Sequence, residues 1–142
     1  CIPHLKKSSN PHILTLSPPL DMKAKWFAPN VAYTMAKYGM SLCTLGRAGE
    51  FRSYGIAVNS LWPRTASATA ALQMIPGVDI GKCRTPEILA DAAYLILTSD
   101  AKTVTGNFFI DDSLLAERGI TDLEKYSETP GTKDFIPDFF VD

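Results

Sequence analysis

The chain has 142 residues, 46% hydrophobic and 20% charged, with a formal net charge of -1. That is a length for one ordinary domain and a composition that excludes disorder. No apolar run approaches the roughly 18 residues a membrane span needs, and the charge gives no footprint for nucleic acid, so neither partner is predicted.

The chain begins Cys1-Ile2-Pro3-His4-Leu5-Lys6-Lys7, which reads as the tail of a helix before the turn Ser8-Ser9-Asn10-Pro11, with sequence missing upstream of Cys1. His12-Ile13-Leu14-Thr15-Leu16-Ser17 is a short apolar run between turn signals, the pattern of a buried parallel strand. Pro18-Pro19 ends it, because neither residue can donate to a ladder. The following loop carries Trp26 and Phe27, which either line an apolar pocket or anchor the loop. Pro29-Asn30 opens a helix over 31–54, with Ala32, Met35, Ala36, Met40, Cys43, Leu45 and Ala48 recurring at helical spacing. Its many small residues, Gly39, Gly46 and Gly49 among them, predict a face for sheet packing and for a subunit contact. Gly55 caps the helix in a left-handed conformation.

Ile56-Ala57-Val58-Asn59-Ser60-Leu61 is a second strand, stopped by Trp62-Pro63. An Ala-rich helix is predicted over 65–74 and is broken by Pro76-Gly77. Thr85-Pro86-Glu87 starts an amphipathic helix over 88–97, with Thr at the cap and Pro at the first helical position. A third strand covers 107–111 and a short helix 112–118. Asp111-Asp112 reads as a helix cap with a solvated acid rather than a metal site. The remainder, 119–142, is turn-rich. Short buried strands alternating with helices predict an α/β domain with a parallel sheet.

Cys1, Cys43 and Cys83 lie far apart, no CxxC or Cys/His cluster occurs, and His4 and His12 are isolated, so no metal is predicted. An odd cysteine count fits a reducing compartment, and a cytoplasmic location is expected.

Tyr33-Thr34-Met35-Ala36-Lys37 sets a phenol and an ammonium four residues apart, on one face of a helix. A free tyrosine, with a pKa near about 10, is a poor base at neutral pH, and a neighbouring cation lowers that value. Lys37 is placed to do so, leaving Tyr33 to exchange a proton with a hydroxyl or carbonyl. The spacing alone also occurs as a solvated pair. Here the motif lies between two strands whose ends, at Ser17 and at Leu61, fall on the edge where α/β sheets bind ligands.

The run from His12 to Thr69 resembles the second half of a short-chain dehydrogenase/reductase. The matching segments are Ile13-Leu14-Thr15-Leu16-Ser17-Pro18-Pro19-Leu20, Ala32-Tyr33-Thr34-Met35-Ala36-Lys37-Tyr38-Gly39-Met40-Ser41 and Ala57-Val58-Asn59-Ser60-Leu61-Trp62-Pro63-Arg64-Thr65. Thr105-Gly106-Asn107-Phe108-Phe109-Ile110-Asp111 and Pro137-Asp138-Phe139-Phe140 match as well. The resemblance implies the C-terminal half of a Rossmann-type doubly wound sheet, with residues 1–142 as one partial domain and the N-terminal dinucleotide-binding half absent. It implies an NAD- or NADP-dependent oxidoreductase that interconverts an alcohol and a carbonyl on an apolar, lipid-like small molecule, and a homodimer or homotetramer formed through the helix over 31–54. Tyr33 would be the proton donor or acceptor, Lys37 would hold the nicotinamide ribose and tune Tyr33, and Pro63, Arg64 and Thr65 would pass the nicotinamide. Residues 66–74 correspond to the substrate lid. By family analogy a peroxisomal or mitochondrial address is the alternative to the cytoplasm.

Three departures stand out. Ser17 matches the first of the family's serine pair and Pro18 takes the place of the second, so Ser17 either polarises the substrate or is structural. Arg64 replaces a glycine, as a contact for an anionic group or as a solvated charge. The glycine-rich dinucleotide loop does not occur in the chain. The competing reading is therefore a non-catalytic fragment or dimerisation module of such a protein.

Overall fold

The computed structural model describes residues 1–142. Three parallel strands form an open sheet in the order β1-β2-β3: β1 (His12–Leu16), β2 (Ala57–Trp62) and β3 (Phe108–Ile110). The register pairs Leu14 with Asn59 and Leu61 with Phe109. Helices α1 (Ile2–Leu5), α2 (Val31–Phe51), α3 (Ala70–Gln73), α4 (Glu87–Leu97) and α5 (Asp111–Glu117) complete the fold. This is the parallel α/β sheet that the strand–helix alternation predicts, and the partial Rossmann type that the family resemblance implies. No helix is long and apolar enough to cross a membrane.

Every residue of β2 is buried, because helices cover both faces of the sheet. On one face Leu61 packs with Ile88, Ala92 and Ile96 of α4, Leu114 and Leu115 of α5, and Tyr126. On the other, Val58 and Ile56 meet Ala48 and Phe51 of α2. Each fully buried aliphatic side chain contributes about 1.5–3 kcal/mol of transfer free energy. The one amide on β2, Asn59, is wholly buried and satisfied: it donates to the Val104 carbonyl at 2.8 Å and accepts from the Asn107 backbone N–H at 3.0 Å.

Helix α2 has the expected extent but turns a different face inward. Its buried residues are Thr34, Tyr38, Ser41, Thr44, Ala48 and Phe51. Of the apolar positions that the periodicity selects, only Ala48 is buried, while Met35, Met40 and Leu45 lie exposed. The stripe against the sheet is therefore mostly hydroxyl-bearing, and those hydroxyls bind β2 and the loop that follows β1. Ser41 Oγ donates to the Pro18 carbonyl at 2.6 Å, and Ser60 Oγ and Thr44 Oγ1 share a bond of 2.8 Å. Added Cβ atoms at Gly39, Gly46 and Gly49 would meet nothing, so these glycines do not serve close packing within the chain.

The helix expected over 65–74 shrinks to Ala70–Gln73, capped by Thr69. Residues before it are extended because distant backbone partners claim them. Ala66 N–H donates to the Ile136 carbonyl and Ala68 N–H to the Arg84 carbonyl, both at 2.8 Å, which overrides local helix propensity. Gly55, at φ +66°, sits in the predicted left-handed cap.

Candidate active site

One cavity of about 750 Å³ opens at the carboxyl ends of β1 and β2. Leu16 enters from β1, Trp62 from the end of β2 with Pro63 just beyond it, and Tyr33 and Lys37 from the first two turns of α2. Ala66, Ser67, Thr69, Ala71, Leu72 and Ile75 form the flank that includes α3, with Leu89 of α4 behind. Asp138 and Phe139 of the C-terminal tail close the remaining side. The wall is mainly apolar; its polar groups are the Tyr33 phenol, the Lys37 ammonium, the Asp138 carboxyl, the Asn30 amide and the hydroxyls of Ser67 and Thr69.

Tyr33 is 44% exposed. Its ring stacks on Phe140 at 6.0 Å and 17°, and Phe139 meets its edge at 6.2 Å. The Lys37 ammonium lies 5.1 Å from the centre of the Trp62 ring, a cation–π arrangement. No salt bridge involves Lys37.

The electrostatics depart from the sequence expectation. The pKa of Tyr33 is raised above its ordinary value, first by burial and then by the negative charge of Asp138. Lys37 does not dominate the phenol, since an aromatic ring holds its ammonium and a carboxyl faces it across the same cavity. Asp138 itself is pushed up to about 6, mainly by burial and further by Asp111. A hydrogen bond from the Phe139 N–H and the charge of Lys37 oppose the rise.

The structure brings Tyr33, Lys37 and Pro63 to one cavity and keeps Ser17, Arg64 and Thr65 out of its wall. Ser17 is 1% exposed, and its hydroxyl shares a 2.8 Å bond with Ser60 Oγ. Leu16 occupies the cavity instead, because neighbouring residues on a strand face opposite ways. Arg64 does not line the cavity, and its partly exposed guanidinium is paired within the chain. Its Nε donates to Asp112 Oδ2 at 2.7 Å, Nη2 to Ser113 Oγ at 2.8 Å and Nη1 to the Asp142 carbonyl at 3.1 Å. It ties α5 to the C-terminal tail. Thr65 pairs with Pro137 in an isolated bridge, and its hydroxyl is buried without a partner.

Trp26 and Phe27 anchor their loop rather than line the cavity. Trp26 Nε1 donates to Asp21 Oδ2 at 2.9 Å and its ring packs on Phe140, while Phe27 meets Tyr38 edge-on. Asp111, expected as a solvated cap, is 1% exposed. Its Oδ1 accepts from the backbone N–H groups of Arg64 at 3.0 Å and Asp112 at 2.7 Å, and burial pushes its pKa up. Sequence reasoning missed Asp138 as a site residue. The only signal was the Pro137-Asp138-Phe139-Phe140 match, which carries no role by itself.

Over its whole length the chain is 54% identical to hydroxysteroid dehydrogenase-like protein 2 of Danio rerio. A crystal structure of a candidate dehydrogenase from Xanthomonas campestris superposes on the full chain with a TM-score of 0.94 at 51% identity. A short-chain dehydrogenase from Mycobacterium thermoresistibile does so at 0.89 and 50% identity. The chain belongs to the short-chain dehydrogenase/reductase family. It spans 34% of the curated relative and 52% and 50% of the two crystallised chains. No protein-family model matches it.

Short-chain dehydrogenases/reductases are associated with NAD or NADP, and the residues present fit one end of that group. The Lys37 ammonium makes no ion pair, and Ser67, also in the cavity wall, has a buried hydroxyl without a partner, a pair suited to ribose hydroxyls and a carboxamide. The other end has no counterpart, since no glycine-rich turn that opens a helix occurs in the chain to cradle a pyrophosphate.

Proposed function

We propose that these residues are the substrate-binding and proton-transfer part of an NAD- or NADP-dependent oxidoreductase, and that by themselves they are non-catalytic. One observation carries the reading. Tyr33 and Lys37 line a single apolar cavity at the carboxyl ends of parallel strands, where an α/β sheet places its ligands.

In the whole protein, Tyr33 gives a proton to a substrate carbonyl or takes one from an alcohol at its phenolic oxygen. Lys37 holds the ribose of the dinucleotide and stabilises the phenolate whenever it forms. The dinucleotide, when bound, supplies or accepts the hydride. Leu16, Trp62, Leu72, Ile75, Leu89 and Phe139 exclude water and favour an apolar, lipid-like alcohol or ketone. Ser17, turned to Ser60, serves the architecture.

The test has two arms. The 142-residue chain should show no cofactor binding by fluorescence titration up to millimolar dinucleotide. The full-length protein should reduce an apolar ketone and lose at least about a hundredfold in kcat with Tyr33→Phe, the scale of a missing general acid. Full activity in that variant overturns the mechanism.

A second reading rests on a separate observation: α2 leaves Val31, Met35, Met40, Leu42 and Leu45 exposed. We propose that the helix over 31–54 joins two or four copies of the protein through this surface. Sedimentation of the chain and of Leu42→Glu/Leu45→Glu decides, with a monomer expected only for the variant.

A further inference from the structure

We propose that Asp138 is a positioning residue of the Tyr33–Lys37 site, a carboxylate built into the cavity wall to oppose the Lys37 ammonium and keep Tyr33 in its phenol form. Its catalytic meaning rests on the oxidoreductase reading above; its effect on the two side chains does not.

The tail is held so that Asp138 has one place to go. Asp138 N–H donates to the Arg64 carbonyl at 2.9 Å, Ile136 N–H to the Lys82 carbonyl at 3.0 Å, and Trp62 Nε1–H to the Phe139 carbonyl at 2.7 Å. These bonds fix the backbone on both sides of the residue and point its carboxyl into the cavity shared with Tyr33 and Lys37. One carboxyl oxygen accepts from the Phe139 N–H at 2.7 Å, and that is the group's one hydrogen bond within the chain. The second oxygen is free to accept from a group inside the cavity.

The surroundings name the groups that act on it. From α2 come Tyr33 and Lys37, and Lys37 is the cation whose charge reaches it. From the start of α5 comes Asp111, a like charge with its own Oδ2 buried and unpartnered. The buried Cys83 thiol also feels Asp138. Arg64, near in sequence and space, spends its guanidinium on Asp112, Ser113 and the Asp142 carbonyl.

The consequence is a firmer hold on one proton. The charge of ionised Asp138 makes removal of the Tyr33 proton more costly, so Tyr33 stays in the proton-donating form that carbonyl reduction requires.

The experiment is an NMR titration of the chain carrying 13C-labelled tyrosine and aspartate, with the Tyr33 signal assigned by its loss in Tyr33→Phe. In the unaltered chain Asp138 should titrate near 6, and the Tyr33 signal should inflect at the same pH. In Asp138→Asn that inflection should vanish and the Tyr33 midpoint should fall by about half a unit, the field of one carboxylate on a partly exposed phenol. Asp138→Glu should keep the inflection. An unmoved Tyr33 midpoint in Asp138→Asn overturns the proposal. So does an Asp138 in the unaltered chain that titrates in the ordinary carboxylate range with no response at Tyr33, an outcome that needs no variant to fold. Neither measurement needs turnover or dinucleotide, so failure here is distinct from failure of Tyr33→Phe in the activity assay.

Discussion

The indole N–H of Trp62, the last residue of β2, donates to the carbonyl of Phe139 at 2.7 Å. This bond fastens the C-terminal tail across the strand ends, and with it Phe140, which packs against Trp26, Tyr33, Tyr38 and Trp62. Trp62→Phe keeps much of the ring but removes the donor, leaving a carbonyl without its partner. The expected cost is about 2 kcal/mol of unfolding free energy. Urea denaturation should show a lower midpoint with an unchanged slope.

Arg64 is the second fastening. Its guanidinium reaches three acceptors in two elements, a geometry that a lysine cannot copy. Arg64→Ala and Arg64→Lys should both release the tail, seen as faster proteolytic trimming of residues 137–142 by mass spectrometry. In the whole protein the dinucleotide affinity should change far less than the trimming rate. A selective loss of affinity with an intact tail would instead assign Arg64 to the cofactor.

The strand ends were legible because proline writes them plainly: β1 stops before Pro18-Pro19 and β2 before Pro63, where no donor remains for a ladder. The Tyr33–Lys37 pair was legible because helical spacing puts both on one face. The inward face of α2 was not. Apolar periodicity selects Met35, Met40 and Leu45, yet Thr34, Ser41 and Thr44 turn inward, since the loop after β1 offers the Pro18 and Trp26 carbonyls and β2 the Ser60 hydroxyl, groups that only polar side chains satisfy. The part played by Asp138 was hidden for a related reason. Its environment is assembled from α2, α5 and the tail, elements far apart in the sequence, and no local pattern encodes the field they make.

Ser17 offers a separation of roles. Its hydroxyl and those of Ser60 and Thr44 form a buried chain linking β1, β2 and α2. Ser17→Ala leaves Ser60 its bond to Thr44, so the loss should be modest, about 1 kcal/mol in chemical denaturation. In the whole protein kcat should fall much less than with Tyr33→Phe. Equal losses would return Ser17 to the substrate oxygen.

Asp138 also gives the chain a pH signature of defined sign. Its carboxyl is held near 6 in the folded chain against an ordinary value of 3.8. Between those values the folded chain binds more protons than the unfolded one, so stability is present in full below the ordinary value and is lost as pH rises towards about 6. Asp111, also raised by burial, contributes in the same direction. Asp91, lowered by hydrogen bonds from Tyr126 and Lys125, acts oppositely and loses its contribution as pH falls. The difference between chains isolates the one group. Relative to Asp138→Asn, the unaltered chain should lose thermal stability steadily as pH rises from about 4 to about 6.5 and not beyond. Calorimetry of both chains across that range reads the difference directly. Parallel curves would mean that Asp138 ionises in the folded chain as it does in the unfolded one, exposed to water and not confined by the tail.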